Sequence, residues 1–168
     1  MVIMLLAACD TRLRDLTMKK TPYPGNELRI DGYYYSSPLY DKYADITTMR
    51  VAVFYRDGYC INTSIKITSS DTLGQIESEV LRNDGFIAHE KAIPSHIGVF
   101  LIMNPDIQFE VWEYRAWTFT YYGKIIDGTT FIINKSINNR DGKNSSESLT
   151  YRFKQFSPKP DSTNVWIK

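Results

Sequence analysis

The sequence predicts an all-β domain: an antiparallel up-and-down barrel of about eight strands with one short helix, a β-sandwich being the alternative. Three observations carry this. Twelve tyrosines, eight phenylalanines and three tryptophans give the chain the aromatic content that suits a pleated, half-buried surface. Apolar and polar residues alternate in run after run. Turn signals, Asp57-Gly58, Asn104-Pro105-Asp106 and Asp127-Gly128, separate these runs at hairpin spacing. Evenly spaced, hairpin-linked strands can close on themselves, which removes exposed edges and favours the barrel.

The chain opens with Met1-Val2-Ile3-Met4-Leu5-Leu6, then Ala7-Ala8-Cys9, then the charged stretch Asp10 to Asp15. Residues 10–27 show no period and contain Pro22, Pro24 and Gly25, so they are expected to be a flexible tether. The domain is expected to span 28–168. Leu28 to Tyr35 begins it, with Gly32 inside as a bend, and Ser36 to Thr48 is expected to be a loop.

Val51, Val53 and Tyr55 alternate on one face, and Tyr59, Ile61, Ile65 and Ile67 on the face of the next strand, with Asp57-Gly58 between. Asp71 or Ser70 caps a helix carrying Leu73, Ile76, Val80 and Leu81 at helical spacing, stopped by Asn83-Asp84-Gly85. Phe86 to Ser95 is expected to be irregular. Gly98 to Met103 is a wholly apolar strand. Ile107, Phe109 and Val111 alternate next, then Trp117, Phe119, Tyr121 and Ile125, then Phe131 and Ile133. A polar loop over 137–148 leads to Leu149, Tyr151 and Phe153, and a Pro-containing tail follows.

Leu6-Ala7-Ala8-Cys9 resembles the lipobox of bacterial lipoproteins. The resemblance implies that residues 1–8 are the remnant of a signal peptide, whose basic start is expected upstream of Met1. It implies that the Cys9 thiol carries a diacylglyceryl group and becomes the acylated first residue. The protein would then be held by lipid in a bacterial cell envelope, at the outer membrane, periplasmic or surface-facing. No run approaches the roughly 20 apolar residues of a membrane-spanning helix, so the anchor is expected to be lipid; two or more acyl chains make such anchoring stable. With Cys9 acylated, Cys60 has no disulfide partner and is expected to be a buried thiol.

Three further stretches, residues 28–35, 122–131 and 156–162, resemble small uncharacterised lipoproteins of gut Bacteroidetes. Those are similar to lipocalins in having a calycin-like barrel. Gly32-Tyr33-Tyr34 stands where lipocalins carry Gly-x-Trp, and the family supplies no catalytic motif. Asp71-Thr72-Leu73 and Asp161-Ser162-Thr163 resemble the O-glycosylation pattern of exported Bacteroidetes proteins, which implies glycans at Thr72 and Ser162.

The signals for chemistry are sparse. Lys and Arg total 20 against 19 Asp and Glu, with the signs interspersed, which excludes the basic footprint of a nucleic-acid binder. His89 and His96 are seven apart, which matches no usual zinc spacing. No Gly-x-Ser-x-Gly elbow and no phosphate-binding loop occurs. Glu110 and Glu113 fall on opposite faces of one strand, one expected to face solvent and one to sit near the strand end. No cofactor, metal or catalytic set is predicted.

The aromatic face carries the functional expectation. Tyr55, Tyr59, Phe109, Trp117, Phe119, Tyr121, Phe131, Tyr151 and Phe153 are expected to share the barrel interior. They would either fill it or line a cavity for a small apolar or amphipathic ligand. The alternative is an interaction lipoprotein that docks a protein or glycan through its loops, with Tyr33, Tyr35, Tyr40 and Tyr43 as an adhesive patch. Enzymatic activity ranks last, because no nucleophile, base and acid are spaced to cooperate.

Overall fold

The computed structural model describes residues 15–92, 94–113 and 117–167. Nine strands form one antiparallel sheet: β1 (Gly32–Ser36), β2 (Leu39–Asp41), β3 (Ile46–Phe54), β4 (Tyr59–Lys66), β5 (Ile97–Met103), β6 (Asp106–Glu113), β7 (Trp117–Asp127), β8 (Thr130–Asn138) and β9 (Asn144–Gln155). From β3 to β9 each strand pairs with the next. Strand β1 closes the ring by pairing with β9 on one side and β3 on the other. The result is a closed, lipocalin-like barrel of eight strands. The sandwich is excluded because the sheet returns to its own first strand. Strand β2 is the ninth, an extension of the rim that pairs with the first part of β3.

Three stretches of the barrel domain differ from the sequence expectation. Residues 36–48 hold β2 and the start of β3 rather than a loop. The stretch from Phe86, expected to be irregular, lies within helix α2 (Asp84–Ala92). It follows α1 (Thr72–Ile76), which runs on as a π-helical turn over Glu77–Leu81. Asp71 caps α1 by accepting the Gly74 N–H at 3.0 Å. The long polar loop is shorter than expected, because β9 already starts at Asn144.

Two apolar clusters lie on opposite sides of the barrel wall. The inner one holds Tyr34, Ala52, Phe54, Cys60, Phe100, Phe109, Val111, Tyr121, Phe131, Ile133, Leu149 and Tyr151. The outer one sandwiches Tyr33, Val51, Val53, Tyr59, Ile61 and Ile97 against Ile76, Val80, Leu81 and Ile87 of the helical segment and Phe156 of the tail. Because successive strand residues point to opposite faces, a strand covered by helices on the outside is apolar on both. Close approach of β5 to β6 needs Gly98, where a Cβ would meet the Glu110 carbonyl oxygen at 1.9 Å.

Residues 15–27, expected to be a free tether, are docked on the barrel; residues 10–14 and Cys9 lie outside the described residues. The Glu110 carboxylate is the latch. Its Oε2 accepts the backbone N–H of Thr17 (2.8 Å) and Met18 (2.7 Å) and the Thr17 hydroxyl (2.9 Å), and its Oε1 accepts from Asn139 Nδ2 (2.9 Å). Glu110 was expected to be the solvent-facing carboxylate; at 0 % exposure it is wholly buried. A carboxylate can be buried there because its oxygens are satisfied.

Candidate functional site

Candidate site residues sort by which side of the wall they face. Phe109, Tyr121, Phe131 and Tyr151 lie in the inner cluster, with Phe119 and Phe153 packed against it. Trp117 stands half-buried at the upper start of β7, with the Arg140 guanidinium 4.7 Å from its ring centre. Tyr55 and Tyr59 are not in the interior: they pack in the outer cluster, and the Tyr55 hydroxyl donates to the Pro160 carbonyl at 2.8 Å. The expectation fails for these two because the apolar face of β3 and β4 is the one under the helices. An apolar face says that something covers it, not which side of the barrel it is on.

The inner aromatic rings fill the lower barrel. Phe131 stacks on Tyr151 with centroids 4.6 Å apart, Phe109 on Tyr121 at 5.0 Å, and Phe54 meets Phe100 at 4.8 Å. Tyr23 and Leu28 plug the bottom, where Tyr23 lies edge-on to Phe100 at 5.6 Å and its hydroxyl accepts the Leu28 N–H. Lys159 pins this plug by donating to the carbonyls of Ile30 (2.6 Å) and Phe54 (2.9 Å). Burial pulls the Lys159 ammonium below its ordinary range.

The upper end is different. Read from bottom to top, the inward residues of β3 are Phe54, Ala52, Arg50 and Thr48, those of β4 are Cys60, Asn62 and Ser64, and those of β6 are Phe109, Val111 and Glu113. Strand β9 follows the same course through Tyr151, Leu149 and Glu147. Each strand passes from apolar to polar as it rises. With His96 and Leu39, the upper residues Thr48, Arg50, Asn62, Ser64 and Glu113 line a polar chamber of about 380 Å³ at the mouth, within the range of small-molecule sites.

Arg50 is the centre of its floor. Its guanidinium lies 5.0 Å from the Tyr121 ring centre and its Nη1 is 4.0 Å from Glu147 Oε2. Among the described residues, Nη1 is buried without a hydrogen-bond partner. Burial disfavours the Arg50 charge, but the oxygens of Tyr121, Tyr151, Glu147 and Glu113 outweigh it and its pKa is raised, so the guanidinium stays charged. Burial likewise raises Tyr121 and Tyr151. Both remain phenols that donate, Tyr121 to Glu113 Oε1 and Tyr151 to Asn62 Oδ1 at 3.3 Å.

His96 forms one side of the chamber. It has a left-handed backbone, φ 60°, uncommon for a non-glycine residue. That conformation is held from both sides: its N–H donates to the Trp112 carbonyl at 2.6 Å and its carbonyl accepts the Asn62 N–H at 2.7 Å. The ring Nδ1 sits 2.5 Å from Oε2 of buried Glu90, which orients the imidazole.

The aromatic patch expected of the loops is split. Tyr33 is buried beneath the π-helical turn, Tyr35 is half-buried, and only Tyr40 and Tyr43 are exposed, Tyr43 at 90 %. Thr72 opens α1 and Ser162 lies in the tail, both half-buried. Cys60 is a free thiol in the inner cluster, and burial raises its pKa well above the ordinary thiol value. Among the described residues no three His, Cys, Asp or Glu side chains converge as a metal site, and no helix is long and apolar enough to cross a membrane.

Arg50, Asn62 and Ser64 are not predicted as site residues from the sequence, and His96 is weighed there only as half of a zinc pair. The detectable signal is the shared gradient: each of β3, β4, β6 and β9 carries its polar inward residues at the same end. The chain matches no protein-family model, no curated protein and no solved structure.

Proposed function

We propose that this protein is a non-enzymatic binding barrel of the bacterial cell envelope, held at a membrane through lipid on Cys9, with its small-molecule ligand in the polar mouth. The observation that carries the binding reading is the chamber of about 380 Å³ over the half-buried, charged Arg50 guanidinium. The packed rings below argue for a ligand that stops at the mouth, so the apolar part of any amphipathic ligand would project upward past Leu39. The lipid reading rests on Leu6-Ala7-Ala8-Cys9.

Native mass spectrometry of the protein purified from its own host tests the binding reading. A small molecule is expected to co-purify with the wild type and to be lost from Ser64→Trp, which fills the chamber from an exposed rim position. Retention of the same molecule by both proteins, or its absence from both, counts against the mouth as a binding site. For the anchor, Cys9→Ser is expected to move the protein from the membrane fraction to the soluble one. An unchanged membrane fraction rejects lipidation at Cys9.

A further inference from the structure

The chemistry of the chamber narrows the class of ligand, if the mouth is the binding site proposed above. Three classes compete: an anion drawn to Arg50, an apolar molecule, and a neutral polar one. Arg50 is the one guanidinium at the floor, and it already faces Glu147 at 4.0 Å. Glu113 and Asp41 also line the chamber. The fixed charges there sum to a negative value, so an added anion meets net repulsion, strengthened by the reduced dielectric of a half-enclosed site. An apolar ligand fares no better. It would remove water from Asn62, Thr48, Ser64 and Arg50 and return no hydrogen bonds to them, leaving polar groups dry.

A neutral polyol fits both conditions. Every hydroxyl is at once donor and acceptor. The floor supplies the partly exposed Arg50 guanidinium as donor, while the walls supply acceptors at Glu113, Asp41 and Asn62 and two-way hydroxyls at Thr48 and Ser64. Leu39, half-exposed at the rim, offers an apolar surface for the C–H face of a ring. The Tyr121–Glu113 and Tyr151–Asn62 hydrogen bonds fix two of these acceptors before any ligand arrives, which lowers the ordering cost of binding. We infer that the mouth binds an uncharged saccharide of one or two rings, with a ring hydroxyl accepting from the Arg50 guanidinium.

The test is an amide-resonance titration of the full-length protein with four named probe sets: neutral sugars (glucose, N-acetylglucosamine, cellobiose), glucuronate, glucosamine and laurate. Saturable shifts are expected at the amides of Arg50, Asn62 and Ser64 with at least one neutral sugar. Glucuronate is expected to bind about tenfold more weakly than its neutral counterpart, the scale of one unfavourable charge contact. Ser64→Trp is expected to abolish the shifts while leaving the thermal midpoint in place. Glu113→Gln, which keeps hydrogen-bonding capacity and removes a charge, is expected to narrow the gap between neutral sugar and glucuronate. Arg50→Met is expected to weaken sugar binding about tenfold; if that substitution prevents folding, Ser64→Trp carries the assignment alone.

Stronger shifts at the mouth from glucuronate, glucosamine or laurate overturn the saccharide inference and leave the mouth standing as a ligand site. Sugar shifts that survive Ser64→Trp overturn it by placing the sugar elsewhere. No shift at the mouth from any probe overturns the inference and weakens the binding reading with it.

Discussion

At the lower end of the barrel, Tyr23 and Leu28 pack against Tyr34, Phe54 and Phe100 and shut it, whereas at the upper end the same strands turn Arg50, Asn62 and Ser64 inward around an open chamber. The two ends share strands, register and curvature. Only the residue type at every second position changes. On β3 the passage from Phe54 to Arg50 takes two inward positions. The barrel is therefore a packed core below and an open polar chamber above, with no separate domain needed for either. The lower rings hold the strands in one geometry, and that rigidity lets Arg50, Tyr121 and Glu113 keep fixed positions at the mouth.

The largest expected effect lies at the closed end. Phe131 is fully buried and touches the rings of Tyr34, Phe54 and Tyr151. Phe131→Ala should destabilise the fold by about 3–5 kcal/mol, the cost of removing a buried aromatic ring and leaving a cavity. Urea denaturation measures it. A loss near 1 kcal/mol would mean that the lower interior is looser than its ring contacts indicate.

Next in size is the outer latch. Glu110→Ala strands the N–H groups of Thr17 and Met18 and removes one of the three oxygens that accept from Asn139 Nδ2, at about 2–3 kcal/mol. Hydrogen exchange at the Met18 amide should rise sharply while the amides of β8 and β9 stay protected. Uniform loss of protection would show that residues 15–20 are part of the core and not a strap laid over it.

A smaller effect follows from the tail that covers the outer wall. Hydrogen bonds from the Thr163 hydroxyl and Lys91 hold the Asp161 carboxyl down to about 2, against an ordinary value of 3.8. A depressed carboxyl contributes stability that is fully present above the unfolded value and lost as pH falls through the folded one. Between about pH 4 and pH 2 the Lys91–Asp161 link should weaken. Trp166, whose indole N–H donates to the Lys91 carbonyl at 2.7 Å, reports it by fluorescence. Asp161→Asn should abolish this acid transition; if the transition persists, another group controls the tail.

The smallest effect belongs to the open end. Ser64→Ala removes an exposed hydroxyl at the rim and should change stability by no more than about 0.5 kcal/mol. The contrast with Phe131→Ala is the most direct measure of how differently the two ends are used. A Ser64→Ala cost comparable to that of Phe131→Ala would erase it.

Much of the barrel was legible because it depends on local pattern. Alternation and the Asp57-Gly58 and Asp127-Gly128 turns place strands and hairpins without knowledge of the rest of the chain. The second helix was missed because residues 86–95 carry a weak apolar stripe, and α2 is held by burying Ile87 against the wall. Tyr55 and Tyr59 fall on the outer side because the continuously apolar face of β3 and β4 is the one covered by the helical segment and the tail. The chamber escaped notice because Arg50, Asn62 and Ser64 read singly as solvent-facing polar residues. Their convergence needs strands β3 and β4 to pair in register, Arg50 opposite Ser64 and Ala52 opposite Asn62.

By itself the sequence determined the class of fold, most strand and turn positions and the burial of Cys60, since each follows from residue type, spacing and side-chain size. Leu6-Ala7-Ala8-Cys9 gives the lipid-anchor proposal on the same local footing. The tertiary structure alone decided which face of each strand points inward, that residues 15–27 are strapped to the wall by Glu110, and that the interior is filled below and open above. Those are properties of closure: a strand has two faces of equal standing until its neighbours, the helices and the tail occupy one of them.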